Sequence, residues 1–343
     1  MRDAVDDVLD AVNRDMYVRQ LDGQMLPQTS ALEITATMLR LLDVRPTMHV
    51  LEIGTGSGYS TALLAHLVGP AGSVVSLDVD SELTRRAIRL LLRERLHQVT
   101  VAARDGRVGY PSAAPFDRLI VWVTADMVPT AWIEQMCIDG LIVAPIKLVP
   151  LAGPGIAVVC GRIKSSGSFV GERIIPGTFA PLTAAPLHYW YGPASEADVV
   201  IEAGGQLLAW VSAAWLRGHD RSADRLHIVR KRRTIVPQSS PLNPLEDAKG
   251  FWAYLLAARP TSLTTAWTQD NGLAFGCSQP RSIALLSLKT SGCVEAGEHS
   301  AADVVEHWIT EWRAVGCPGF DQLQPLAERG PNGLRVQATM RNI

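Results

Sequence analysis

The chain has 343 residues, 47% hydrophobic and 19% charged, with a net charge of −2. That composition suits a globular protein with room for two domains, and the near-balanced charge gives no bias toward nucleic acid or a membrane surface. No stretch approaches 18 uninterrupted apolar residues, so no membrane span is expected. The start, MRDAVDDVLDAVNRD, has no apolar signal core, and the five cysteines (137, 160, 277, 293, 317) contain no C-x-x-C pair. Both features fit reduced thiols in a cytoplasmic protein without a structural metal.

Residues 3–21 carry apolar positions at helical spacing, and Gly23 and Pro27 end that pattern. A second helix is expected over 31–42, with Ser30 where an N-cap belongs. From Met48 the pattern is strand, loop, helix, repeated. Strands are expected at HVLEI, 73–77, 99–103, 117–123 and 141–146, with helices at 59–68, 81–96 and 129–138 between them. Such alternation predicts a mainly parallel α/β sheet with helices on both faces. It stops near residue 150. Residues 155–163 and 168–182 read as a closing hairpin, and YGPASEAD (191–198) as a boundary. The expected domains are therefore 1–190, and a smaller α+β accessory domain over 191–343. In the latter, 226–235 and 283–288 look extended, while 246–258 and 301–315 look helical.

The informative stretch is VLEIGTGSGYS, residues 50–60. Glu52 stands at a strand end, followed by Gly54, Thr55, Gly56, Ser57 and Gly58, then a helix. A glycine-rich strand-to-helix turn lets backbone approach a ligand closely. Dinucleotide enzymes want G-x-G-x-x-G, and position 59 is Tyr, so that fingerprint fails. An acid before G-x-G-x-G resembles the pattern of class I methyltransferases, whose ligand is S-adenosyl-L-methionine. Asp78, followed by Val79, ends the next strand 20 residues after Gly58. A carboxylate there can accept hydrogen bonds from ribose hydroxyls. Asp105 and Gly106 follow the third strand, where an acid can meet the adenine amino group. Asp80 or Ser81 is the expected cap of the helix after the second strand.

These residues and several further motifs resemble the protein-L-isoaspartate O-methyltransferase family. VLEIGTGSGY matches its glycine motif. Asp105-Gly106 resembles its G-D-G, PFDRLIV (115–121) its fourth strand, and Thr124-Ala125 with Pro129 its T-A-A…P loop. Gln135 falls at the Q of its Q-L-x-x-G-G, and FAPL (179–182) resembles its closing F-V-P-L strand. Thr29-Ser30-Ala31 aligns with its S-x-P segment, with Leu32 in place of the proline. The resemblance spans roughly residues 5–185, and the segment before Ser30 that helps close over an isoaspartyl peptide is short. Beyond it, Leu273 to Gly276, SIALLSL and EWRAVGCPG (311–319) are similar to the extension of related enzymes in ribosomal-peptide biosynthesis. Those enzymes esterify an aspartate, which then cyclises to succinimide.

The resemblance implies a carboxyl O-methyltransferase with an aspartyl or isoaspartyl peptide as partner, tailoring being favoured over repair. A metabolite methyltransferase and a non-catalytic peptide-binding scaffold are the alternatives. A carboxylate is already nucleophilic at neutral pH, so the reaction needs alignment more than a base. Ser30 is the candidate to orient it, or else it only caps its helix. Thr124 and Ala125 are expected to line the transfer pocket. The basic run Arg225, His227, Arg230, Lys231, Arg232 and Arg233 reads as a solvated face, with an acidic-peptide docking strip as the alternative. Trp308, Ile309, Trp312 and Val315 read as core. Neither a metal site nor an oligomeric state follows from the sequence.

Overall fold

A computed structural model describes residues 2–20, 22–27, 29–164, 167–186, 194, 196–217, 236–238, 240–243, 245–289 and 292–341. The basic run at 225–233, the extended segment expected at 226–235, and residues 191–193 and 195 of the expected domain boundary lie outside these residues.

The N-terminal segment forms α1 (Ala4–Ala11) and α2 (Arg14–Val18) rather than one helix. Val12 and Asn13 between them are extended. A straight helix over 3–21 would run about 28 Å. The break instead lets α1 and α2 both pack on one later helix, α4 (Tyr59–Val68). α3 (Leu32–Leu42) begins one residue later than expected. Ala31 occupies its N-cap and no side chain caps it, so Ser30 is not the cap.

The α/β alternation then appears as β1 (His49–Ile53), α4, β2 (Ser73–Asp78), α5 (Ser81–Arg93), β3 (Val99–Ala103) and β4 (Phe116–Val121). A short β5 (Val128–Pro129) precedes α6 (Thr130–Glu134), and β6 (Met136–Lys147), β7 (Ile156–Ile163) and β8 (Phe169–Pro176) follow. Asp80 caps α5 by accepting from Glu82 and Leu83 N–H groups. The helix expected over 129–138 is cut short. Gln135 turns its side-chain amide onto the Tyr110 N–H and the Val108 carbonyl, and Met136 already pairs with Phe116 as strand. The hairpin is present as β7–β8, but β8 stops at Pro176. FAPL is loop, joined to the end of the sheet by a Thr124–Pro181 bridge and by the Phe179 ring in the core.

The first sheet has the order β3-β2-β1-β4-β6-β7-β8, parallel through β6 and antiparallel thereafter. Its strands alternate sides with period two. Val50, Val74 and Ile120 enter the core under α3 and α4, while Leu51, Val75, Leu119 and Val121 enter the opposite core. The opposite core is closed by α6 and by the C-terminal region.

That region contains β9 (Val199–Ala203), β10 (Gln206–Ala213), β11 (Val236–Gln238), α7 (Ala248–Ala258), β12 (Leu263–Thr268), β13 (Gly272–Gln279), β14 (Ser282–Ser287), β15 (Cys293–Gly297) and α8 (Ser300–Ala314). It ends in the hairpin β16 (Leu323–Gly330) and β17 (Gly333–Met340). A second antiparallel sheet runs β11-β15-β14-β13-β12-β10-β9. Phe251, Trp252, Phe275 and Trp312 form its aromatic centre, with ring centroids 5.0–5.7 Å apart. Trp308, Ile309 and Trp312 are core as expected, whereas Val315 is 57% exposed because it caps α8 beyond its last turn. The final hairpin returns to the first region. β17 pairs with β5, and the Trp252 indole donates to the Pro154 carbonyl at 3.1 Å. One hydrophobic core therefore runs from β1 to α8.

Candidate active site

In an open α/β sheet the ligand crevice lies at the strand carboxyl ends, where the strand order reverses. Here that point is between β1 and β4. A cavity of about 450 Å³ lies there, lined by the loop after β1, the end of β2, Trp122 and Val123 after β4, the segment before α3, and loop 178–186.

Gly54, Gly56 and Gly58 all have positive φ (96°, 49° and 83°), a backbone path that side-chain-bearing residues rarely take. The loop is pinned from below by Gly54 and Thr55 N–H groups donating to the Leu77 carbonyl. Asp78 holds it from the side: one carboxylate oxygen accepts the Gly56 N–H at 2.8 Å and the other the Asp80 N–H at 3.0 Å. Burial raises the Asp78 pKa above the ordinary aspartate value. Gly54, Thr55, Gly56, Ser57, Asp78 and Val79 all line the cavity, as does Ser30. Gly58 begins α4 just behind them.

Glu52 does not reach the cavity lining. Its side chain is 0% exposed and accepts from the Ser60, Thr61 and Ser76 hydroxyls and the Trp122 indole N–H. Burial raises its pKa and those four donors oppose the shift. It therefore knots β1, β2, α4 and the end of β4 together beneath the loop, a different role from the cofactor contact expected. Asp105 and Gly106 also lie outside the lining. Asp105 accepts from the Arg107 N–H and guanidinium, and this contact lowers its pKa. Gly106 is buried where an added Cβ would sit 2.3 Å from a methyl of Ile53, and its carbonyl accepts from Trp132. Close packing requires that glycine.

Thr124 and Ala125 are likewise not among the lining residues. The Thr124 hydroxyl donates to the Phe179 carbonyl at 2.9 Å, and its backbone bonds Ala180 and Leu182. Thr124 thus fastens loop 178–186, which supplies Phe179, Ala180, Pro181 and Thr183 to the wall. Thr124→Val should leave the Phe179 carbonyl without that donor and lower stability by about 1–2 kcal/mol. Cofactor affinity should change less than threefold, as calorimetry can check. A larger loss would return Thr124 to the reacting centre.

Trp122, Tyr59, Ser60 and Leu83 line the cavity and were not singled out from the sequence. Trp122 lies near the carboxyl end of the strand expected over 117–123, and β4 stops just before it at Val121, so position alone could have flagged it. The lining has hydroxyls at Thr29, Ser30, Thr35, Ser60, Thr178 and Thr183. Its charged residues are Asp78 and Asp80, with no lysine, arginine or histidine among the described lining residues.

This sheet, with its glycine loop and ribose-type carboxylate at the switch point, is the fold of the class I S-adenosylmethionine-dependent methyltransferases. A solved protein-L-isoaspartate O-methyltransferase superposes over 99% of this chain and 96% of its own at a TM-score of 0.51 and 18% identity. The family model for protein-L-isoaspartate(D-aspartate) O-methyltransferase matches residues 1–184, and the chain belongs to that family. A relative of that name from Ignicoccus hospitalis is 39% identical over 153 residues, 45% of this chain and 71% of its own. Another from Anaeromyxobacter sp. is 41% identical over 155 residues, 44% of this chain and 69% of its own. The protein is thus an S-adenosylmethionine-dependent O-methyltransferase, and the residues fit that cofactor. Asp78 offers a partly buried acceptor for hydroxyls, and the glycine loop leaves room for a ligand against its backbone. Among the described residues no helix is long and apolar enough to cross a membrane.

Proposed function

We propose that the protein esterifies the carboxylate of an isoaspartyl residue in a peptide or protein, the repair-type reaction of its family. The observation that carries this reading is the cavity wall. It offers several hydroxyls and, among the described lining residues, no histidine, lysine or arginine, its carboxylates being Asp78 and Asp80 at and just after the end of β2. Such a wall suits an acceptor that is already a nucleophile and needs hydroxyl donors to hold it in line rather than a base to activate it. The bound cofactor supplies a methyl group on an electrophilic sulfonium.

Each protein element has a part. Asp78 and the Gly54–Gly58 loop hold the nucleoside end. Ser30, whose hydroxyl is not used to cap α3, is free to donate to the acceptor carboxylate. Phe179 and Pro181, held by Thr124, keep water from that wall.

Tailoring of a ribosomally made peptide at aspartate is the same chemistry on a different acceptor. Its support in the sequence is the short segment before Ser30 together with the C-terminal extension. A solved chain bearing the repair-family name aligns over nearly its whole length with this one, so the region's shape does not favour tailoring.

The test is a pair of peptides identical except for Asp or isoAsp at one position, incubated with S-adenosylmethionine and read by mass spectrometry. The isoaspartyl peptide should gain the mass of one CH2, then lose methanol as the succinimide closes. Methylation of the aspartyl peptide alone would move the assignment to tailoring. Methylation of neither, with turnover of a free metabolite, would overturn a peptide acceptor.

A further inference from the structure

The cavity has a charge problem that its own lining does not solve. Its charged lining residues are Asp78 and Asp80, yet the cofactor carries a carboxylate at the end of its amino-acid tail. Placing that anion in a partly enclosed, acid-bearing cavity without a cation is unfavourable. The cofactor's ammonium and sulfonium suit those acids, but its carboxylate needs strong donors of its own, and a cation just behind the wall can supply them.

Two arginines stand there. Arg86 of α5 braces the loop, donating to the Ser57 carbonyl at 3.2 Å and the Arg19 carbonyl at 2.8 Å. Arg14 of α2 is different. It lies between two lining residues, donating from Nη2 to the Ser30 carbonyl at 3.3 Å and placing its guanidinium 5.9 Å from the Tyr59 ring centre. Its Nε is buried and has no hydrogen-bond partner. Among the described residues it forms no ion pair. A buried donor without an acceptor is rare in folded proteins and marks a place where a partner belongs. Arginine is also the side chain whose donors best match a carboxylate.

Asp78, Ser57, Tyr59 and Ser30 all line this one cavity, so a ligand whose ribose meets Asp78 has a path for its tail along the glycine loop to Ser30 and Tyr59, the two residues that Arg14 touches. We propose that Arg14 is the cation that recognises the carboxylate of the cofactor's amino-acid tail, and so selects S-adenosylmethionine over nucleosides lacking it. Ser30 and Tyr59 position the guanidinium from either side. Segment 29–31 is thereby shared between the cofactor tail, through Arg14, and the acceptor, through the Ser30 hydroxyl. The inference rests on the cofactor assignment and the orientation that Asp78 gives it.

Calorimetry with S-adenosylmethionine and its decarboxylated analogue tests this, because the two ligands differ only in the tail carboxylate. The wild type should prefer S-adenosylmethionine by about tenfold or more, the value of one charge-assisted hydrogen bond. Arg14→Met should erase that preference by weakening S-adenosylmethionine alone, and Arg14→Lys should restore part of it. Parallel loss of both ligands would make Arg14 a structural brace and overturn the proposal. So would a preference that survives Arg14→Met. Should the wild type bind neither ligand, the cofactor reading itself would fail, which is a distinguishable result.

Discussion

Glu52→Ala should cost about 3–5 kcal/mol of stability, the range for removing one member of a buried charged network. The carboxylate is completely buried and is the shared acceptor of Ser60, Thr61, Ser76 and Trp122. Its removal strands donors from three separate elements in an apolar setting, each costing about 1–3 kcal/mol when no acceptor replaces it. Partial relief comes from the hydroxyls themselves, since Ser76 already lies 2.6 Å from Thr55 and 3.3 Å from Thr61. That relief keeps the total below the simple sum. Glu52→Gln should destabilise less than alanine, because its oxygen can keep the Trp122 N–H while the Thr61 and Ser76 hydroxyls turn to accept from its amide nitrogen. A thermal melt would drop by roughly 10 °C for the alanine variant. A melt coincident with the wild type would mean that the knot does not hold the loop.

Asp78→Ala should weaken binding of S-adenosylhomocysteine by about 100- to 10,000-fold. Two hydroxyl-to-carboxylate bonds at roughly 1.5–3 kcal/mol each set that scale. The same substitution frees the Gly56 N–H, which Asp78 now holds at 2.8 Å, so the glycine loop loses its lateral support as well. Stability should suffer far less than for Glu52, since Asp78 is only partly buried and its remaining partner is the Asp80 N–H. The pH response has a definite sign. Protonation removes the acceptor, and burial raises the Asp78 pKa. Affinity should therefore fall on acidification from a higher pH than for an exposed aspartate, and Asp78→Asn should flatten that acid limb.

The contrast between these two acids explains what could be read from the sequence. The helix at 59–68 and the strand at 99–103 follow from local patterns and appear with the bounds expected. The glycine turn and Asp78 are equally local, because both stand at strand ends set by the same periodicity. The fate of Glu52 is not local. Its partners come from positions 60, 61, 76 and 122, and only the folded sheet brings them together. Thr124 is similar: its tie to Phe179 spans 55 residues. Asp105 had a nearer competitor in Arg107, which a single-residue reading of the loop overlooked. The pairing of β17 with β5 joins the chain's last strand to its middle, a contact that no periodicity encodes. Arg14 was hidden because its significance lies in a missing partner, and a sequence does not display missing partners.

The central claim is that the crevice between β1 and β4 grips the nucleoside of S-adenosylmethionine through Asp78. Titrating S-adenosylhomocysteine into the wild type and Asp78→Ala, with matched melting curves to verify folding, tests it most directly. Saturable binding by the wild type and a loss of two orders of magnitude or more in the folded variant is the predicted result. Equal affinity of the two proteins would contradict the assignment.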